Sequence, residues 1–209
     1  MSQQVRNVFC VGRNYKLHAE ELGNDIPTEP MIFSKPTHAL VPMNGGTVQL
    51  PAGVGGIHYE AEVVIRIGKR YEAGASANDV IDAIALGIDF TLRDVQSELK
   101  KQGYPWLAAK GFRNSAPITA FHPFPGLETL QSSTFSLLKN GEAVQLGDTS
   151  LMIFPFQRIV EHVGGIYGLD EGDIIYTGTP AGVGATEDGD HFEIRFGEEA
   201  WGTCTARIG

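Results

Sequence analysis

Cysteine is scarce in this sequence: Cys10 and Cys204 stand far apart, and no Cys-x-x-Cys pair occurs. That excludes a disulfide framework and a cysteine-type zinc site, and two buried thiols in a reducing compartment are expected instead. No apolar run approaches the roughly 20 residues that a membrane helix requires. The stretch that follows Met1 is too short and too poorly flanked for a secretory signal, so a cytoplasmic, soluble protein with no membrane partner is expected. No Lys/Arg cluster is present and the net charge is -9, which leaves no phosphate-neutralising stripe and argues against nucleic acid as a partner. No repeat, low-complexity tract or Pro/Gly/Ser linker divides the 209 residues, so one domain over 1–209 is expected.

What is present is a series of short strand signals with few helices. Apolar or alternating runs at 8–12, 31–36, 47–51, 58–68, 83–92, 173–177 and 191–196 read as strands. Asn140-Gly141 between two alternating segments is a two-residue hairpin signal. One amphipathic helix is expected within 150–164, because Phe156, Ile159, Val160 and Val163 share one face, with Gly164 as its stop. Shorter helices are expected over 14–22, capped by Asn14 and stopped by Gly23, at 78–80, and over 94–100. Together these predict an α+β, strand-dominated fold with mixed sheets.

Glu60 and Glu62 stand one residue apart in the 58–68 run. In an extended strand such residues point to one side, so both carboxylates can converge on one ion. The same alternation also fits a half-exposed strand that turns Glu60, Glu62 and Arg66 to solvent. Asp89 interrupts a run apolar enough for a buried strand, and a buried carboxylate is costly unless paired or metal-bound. Three oxygen donors without Cys or His ligand spacing point to Mg²⁺, Mn²⁺ or Ca²⁺ rather than zinc.

Other residues are candidates for chemistry on separate grounds. His18 and Glu21 are three apart on a helix, so the carboxylate can fix the imidazole as a general base, or the pair is a packed histidine beside a solvated glutamate. Lys110 follows the apolar stretch 105–109 and can stabilise a substrate carboxylate or oxyanion, or lie along the surface. Arg93 and Gln96 lie just beyond Asp89, close enough in sequence to line a pocket centred on it, or Arg93 pairs with Asp94 or Glu98. The glycine-rich segment 177–184 can cradle an anion with backbone N–H groups, or join two strands tightly. It lacks the Lys-Ser/Thr ending of a Walker loop.

The ordered set Val11-Gly12-Arg13-Asn14-Tyr15 with His18 and Glu21, Phe33-Ser34-Lys35-Pro36, His58-Tyr59-Glu60-Ala61-Glu62, Asp89 with Thr91, Arg93 and Asp94, Lys110-Gly111-Phe112, and Glu171-Gly172-Asp173 through residues 177–184 resembles the fumarylacetoacetate hydrolase family. It is especially similar to the short branch that includes acylpyruvate hydrolases and oxaloacetate decarboxylases. The resemblance implies a mixed β-sandwich roll of the family's C-terminal-domain type and a homodimer. It implies Mg²⁺ or Mn²⁺ on Glu60, Glu62 and Asp89, a His18–Glu21 dyad that activates water, and Lys110 as anion stabiliser. Lys35, Arg93, Gln96 and Thr179 are implied to bind the carboxylate end of a small keto-acid substrate. The expected reaction is hydrolysis of an acylpyruvate to pyruvate and a carboxylic acid, with oxaloacetate decarboxylation or keto–enol tautomerisation through the same enolate as the alternative.

Overall fold

Two long antiparallel strands, Ala61–Ile67 and Ile81–Ile88, form the centre of the largest sheet. Apolar residues occupy both faces of each, and both faces are covered, so Val63, Val64, Ile65, Ala85 and Leu86 are all buried. The structure, a computed structural model, describes residues 4–21, 23 and 25–209. On one side of the central pair lie Ile174–Tyr176, Val8–Gly12 and the edge strand Met31–Lys35. On the other lie Ala116–Ile118 and Leu40–Pro42, with the short His122–Pro123 strand also pairing to Ile81–Ile88. Parallel and antiparallel pairs are mixed: Val8–Gly12 runs parallel to Ile174–Tyr176, which runs antiparallel to Ala61–Ile67.

A second, five-stranded sheet is ordered Glu142–Asp148, Thr134–Lys139, His191–Phe196, Glu199–Ile208 and Asn44–Leu50. The inward faces of the two sheets share one core, in which Val63, Ile65, Phe135, Leu137, Phe192 and Ile194 are packed together. Phe192 lies 5.5 Å from the Tyr59 ring and 5.8 Å from the Phe90 ring, so aromatic contacts tie the second sheet to the segments flanking the two central strands. A small third sheet, Gly184–Ala185, Ile57–Tyr59 and Thr91–Leu92, closes one end. The strand-dominated α+β expectation and its mixed roll therefore hold.

Asn140 and Gly141 both adopt positive φ, 54° and 87°, as the hairpin reading requires. Asn14 does not cap a helix. Its Oδ1 accepts from the Phe154 backbone N–H at 2.7 Å and its Nδ2 donates to the Thr177 and Phe154 carbonyls, and the helix begins at Lys16. That helix is described to Glu21; Leu22, its expected last residue, lies outside the described residues. The 58–68 run is two strands rather than one, Ile57–Tyr59 and Ala61–Ile67, broken at Glu60. The ten-residue strand Glu199–Ile208 escaped the sequence reading because Gly202 and small polar residues blur its alternation; Gly202 is required where the Met43 carbonyl crosses closely.

Gly164 was expected to stop the amphipathic helix, yet the helix runs over Phe156–Ile166. The Tyr71 ring lies where a Cβ at Gly164 would stand, whereas nothing lies within 4 Å of that position at Gly165. The two neighbours should therefore respond oppositely. Gly165→Ala is expected to stabilise the protein by about 0.5–1 kcal/mol through helix propensity, and Gly164→Ala to destabilise it by driving the Tyr71 ring away. Urea unfolding midpoints of the two variants check this; equal shifts of one sign would show that the ring contact is unimportant.

Candidate metal centre and active site

The break at Glu60 and the end of the Ile81–Ile88 strand face each other, since the Asp89 backbone N–H donates to the Glu60 carbonyl at 2.8 Å. This bond is what converts two separate sequence irregularities into one cluster. Glu60, Glu62 and Asp89 are all buried, and one carboxylate oxygen from each lies within 4.8 Å of the others. Ionised carboxylates this close repel strongly in a low-dielectric interior and need cations around them.

Three cations answer that need unevenly. Lys110 Nζ lies 2.7 Å from Glu60 Oε2, 2.6 Å from Asp89 Oδ2 and 2.6 Å from Thr91 Oγ1. Lys35 Nζ lies 2.8 Å from Asp89 Oδ1 and also donates to the Lys110 and Ser115 carbonyls. Arg93 Nη2 lies 2.5 Å from Glu60 Oε1. Burial opposes ionisation of Glu60, but Lys110 and Arg93 outweigh it and hold this carboxyl below the usual range. Burial likewise opposes the Lys110 charge, and Asp89 and Glu60 more than offset it, so this ammonium is held protonated. Glu62 meets no cation among the described residues; it accepts from the Gly178 N–H at 2.7 Å. Burial, with the Asp89 charge next, raises its pKa well above normal.

The triad opens into a cavity that communicates with solvent. His18, Arg93, Gln96, Lys110 and Thr179 all line it, together with Phe33 and Trp106. His18 is buried and its Nδ1 stands 3.5 Å from Glu21 Oε2 without an aligned hydrogen bond. Burial lowers its pKa, an effect that Glu60 and Glu21 oppose only in part, so the imidazole is neutral near pH 7. Gln96 Oε1 accepts from Arg93 Nη1 at 2.7 Å, which orients the guanidinium. Thr179 accepts from Gln145 Nε2 at 2.9 Å.

Lys35 departs from expectation. Its side chain is fully covered and does not line the cavity; it lies behind Asp89, where carbonyls and Ser115 surround it. Direct contact with a substrate carboxylate is therefore corrected to a buried counter-charge for Asp89. The 177–184 segment does cradle anions, but they are the protein's own: Gly178 N–H serves Glu62, and Gly182 N–H lies 3.2 Å from Glu21 Oε1. Gln145 went unnoticed in the sequence. It is 1% exposed while its neighbour Leu146 is 75% exposed, the reverse of what the Val144-Gln145-Leu146 alternation predicts, so the sequence carried no signal for it. Its Oε1 accepts from the Ala61 N–H left unpaired by the strand break, and its Nε2 also donates to the Pro180 carbonyl.

Comparison with known proteins adds an independent finding. Residues 7–209 match the profile of the fumarylacetoacetate (FAA) hydrolase C-terminal family. The chain is 43% identical over 190 residues to the mitochondrial oxaloacetate tautomerase FAHD1 of Rattus norvegicus, covering 90% of this chain and 86% of that one. It is 39% identical over 198 residues to the oxaloacetate tautomerase YcgM of Escherichia coli K12, covering 92% and 89%. Among solved structures, the fumarylpyruvate hydrolase of Pseudomonas aeruginosa in complex with Mn²⁺ and pyruvate superposes with a TM-score of 0.89 at 32% identity, over 100% of this chain and 92% of that one.

The uncompensated charge at Glu62 gives a stability prediction. A carboxyl whose folded pKa is raised leaves the native state holding more protons than the unfolded chain above the ordinary value of 4.5, so stability falls as pH rises toward the folded value. Glu62→Gln removes that penalty and keeps an acceptor for Gly178. In chelator-treated protein at neutral pH the variant is expected to melt higher than the parent, with a flatter pH dependence; a lower melting temperature would refute the repulsion.

Proposed function

Since the chain belongs to the fumarylacetoacetate hydrolase family, we propose that it acts on a small α-keto acid, with keto–enol tautomerisation of oxaloacetate, and its decarboxylation through the same enolate, as the principal reaction. The observation that carries this reading is one cavity faced by three buried carboxylates, a neutral histidine and fixed cations. Hydrolysis of an acylpyruvate, the reaction expected first from the sequence, takes second place because the relatives at 39–43% identity are named oxaloacetate tautomerases. It keeps support from the fumarylpyruvate hydrolase neighbour.

The donor set suits a hard divalent cation such as Mg²⁺ or Mn²⁺: three carboxylate oxygens converge, and Glu62 lacks a cation of its own. Glu60, Glu62 and Asp89 would hold it, and when bound it would supply Lewis acidity toward a keto oxygen and charge stabilisation for an enolate. The chain's own residues handle the protons. Neutral His18 accepts the proton from the carbon beside the keto group and delivers it to the enolate oxygen, or carries it the opposite way from enol to keto, while Glu21 favours the imidazolium that forms in between. Lys110 stays protonated, so it contributes positive charge beside a developing oxyanion rather than acting as a base. Arg93, held by Gln96, and Thr179 face the same space and would bind the substrate carboxylate. For the hydrolytic reading, His18 would instead take its proton from water. A cytoplasmic homodimer belongs to the same proposal.

The test is an absorbance assay of enol-oxaloacetate decay, run beside acylpyruvate cleavage, with Mg²⁺ or Mn²⁺ and with chelator. Chelation is expected to abolish turnover, and His18→Ala to slow tautomerisation by about 10²–10⁴-fold. Turnover unaffected by either change would sink the reading; cleavage of acylpyruvates without any effect on oxaloacetate would favour the hydrolase. The pH profile provides a further check. Burial lowers the His18 pKa, so the acid limb of activity is expected below the ordinary histidine value of 6.5. Glu21→Gln removes an anion that raises this pKa, and should move the limb lower still.

A further inference from the structure

Arg13 is one of three non-glycine residues with positive φ among the described residues, at 58°. An L-residue pays for the left-handed region, which glycine or asparagine enters more easily, so a long charged side chain there calls for a reason. The backbone on either side is pinned. Gly12 ends the Val8–Gly12 strand, and Asn14 is held by Phe154 and Thr177. The side chain that this geometry presents lines the same cavity as the carboxylate triad, and among the described residues its guanidinium makes no hydrogen bond or ion pair.

Two further cations line that cavity besides Lys110. Arg93 is engaged by Glu60 and Gln96. Lys100 also faces it, and after burial the charges of Arg13 and Arg93 are what lower its pKa. Mutual repulsion of this kind is relieved by an anion placed among the three groups. The cavity is thus lined by the acid triad and by bases that the triad does not fully engage, with Phe33 and Trp106 adding apolar surface.

We infer that Arg13, supported by Lys100, is a second anion subsite that reads the far carboxylate of a dicarboxylic keto acid, making the site selective for dicarboxylates over monocarboxylic keto acids of the same length. The inference rests on the proposed keto-acid reading, which supplies the near end of the substrate; the Arg13 subsite supplies the other. Guanidinium and carboxylate pair in a fixed two-point geometry, so Arg13 contributes affinity only where a second carboxylate exists.

Calorimetric titration of the Mn²⁺-loaded protein with malate and with 2-hydroxybutanoate isolates this subsite, because the two share a 2-hydroxy-acid end and chain length and differ by a carboxylate in place of a methyl. The parent is expected to bind one malate enantiomer about tenfold or more tightly than 2-hydroxybutanoate. Arg13→Gln should abolish that preference while changing 2-hydroxybutanoate affinity by less than about twofold. Arg13→Asn, suited to the left-handed backbone, should behave the same and guards against a folding defect. No preference in the parent, no malate binding, or equal weakening of both ligands in the variants overturns the assignment. If the malate preference is present and lost as stated but oxaloacetate is not turned over, the reaction proposed above fails while the subsite stands.

Discussion

The structure is organised around the cost of burying three carboxylates within reach of one another. Glu60, Glu62 and Asp89 are desolvated together, and no single neighbour could stabilise all three charges. Compensation is divided. Lys110 bridges Glu60 and Asp89, Lys35 backs Asp89, Arg93 backs Glu60, and a backbone N–H alone serves Glu62. The imbalance at Glu62 has a physical meaning: the protein is built one cation short at the point where the three oxygens converge. Buried charge left in this condition is a reservoir that binding of a dication would relieve.

The rest of the fold can be understood as the scaffold that imposes this arrangement. The central strand pair is rigid because both its faces are packed, and the triad stands at the ends where the pairing stops. Each interruption is satisfied from a distance. Gln145, from the second sheet, supplies the acceptor that the Ala61 N–H lost at the break, and its amide donates to the segment that carries Thr179. Asn14 ties the start of the His18 helix to Thr177 on that same segment. Acid cluster, histidine and glycine-rich segment are therefore coupled by buried hydrogen bonds that span more than 80 residues of sequence. Such bonds are costly to break, because each partner would be left unsatisfied in the interior.

Chemically, the site separates its tasks by environment. The same burial that raises Glu62 keeps His18 neutral, and the same anions that destabilise one another keep Lys110 charged. A neutral imidazole and a permanent cation thus coexist in one cavity at one pH. Tautomerisation, decarboxylation and hydrolytic cleavage of keto acids share an enolate, and differ in whether water or only a proton must be delivered. That common step is a chemical reason why proteins similar to this chain carry names as different as oxaloacetate tautomerase and fumarylpyruvate hydrolase.

Much of this was legible in the sequence, and for a definite reason. Short-range signals report local energetics: the Glu60–Glu62 spacing, the charge intruding at Asp89, the i,i+3 relation of His18 and Glu21, and Asn140-Gly141 each involve residues close along the chain. Strand dominance and the candidate acid cluster followed from them, whereas the family resemblance rested on the ordered set of motifs along the chain. Polar residues whose partners lie far away were misjudged. Asn14 looked like a cap and is a buried tie, Lys35 looked like a ligand contact and is a counter-charge, Gly164 looked like a stop and makes room for Tyr71, and Gln145 was not noticed. Sequence by itself determined which groups are available and which neighbours they have on one strand or helix. Only the tertiary structure decided which of those groups share a buried space, because hydrogen-bond satisfaction and charge compensation act through distance in three dimensions, which chain separation does not encode.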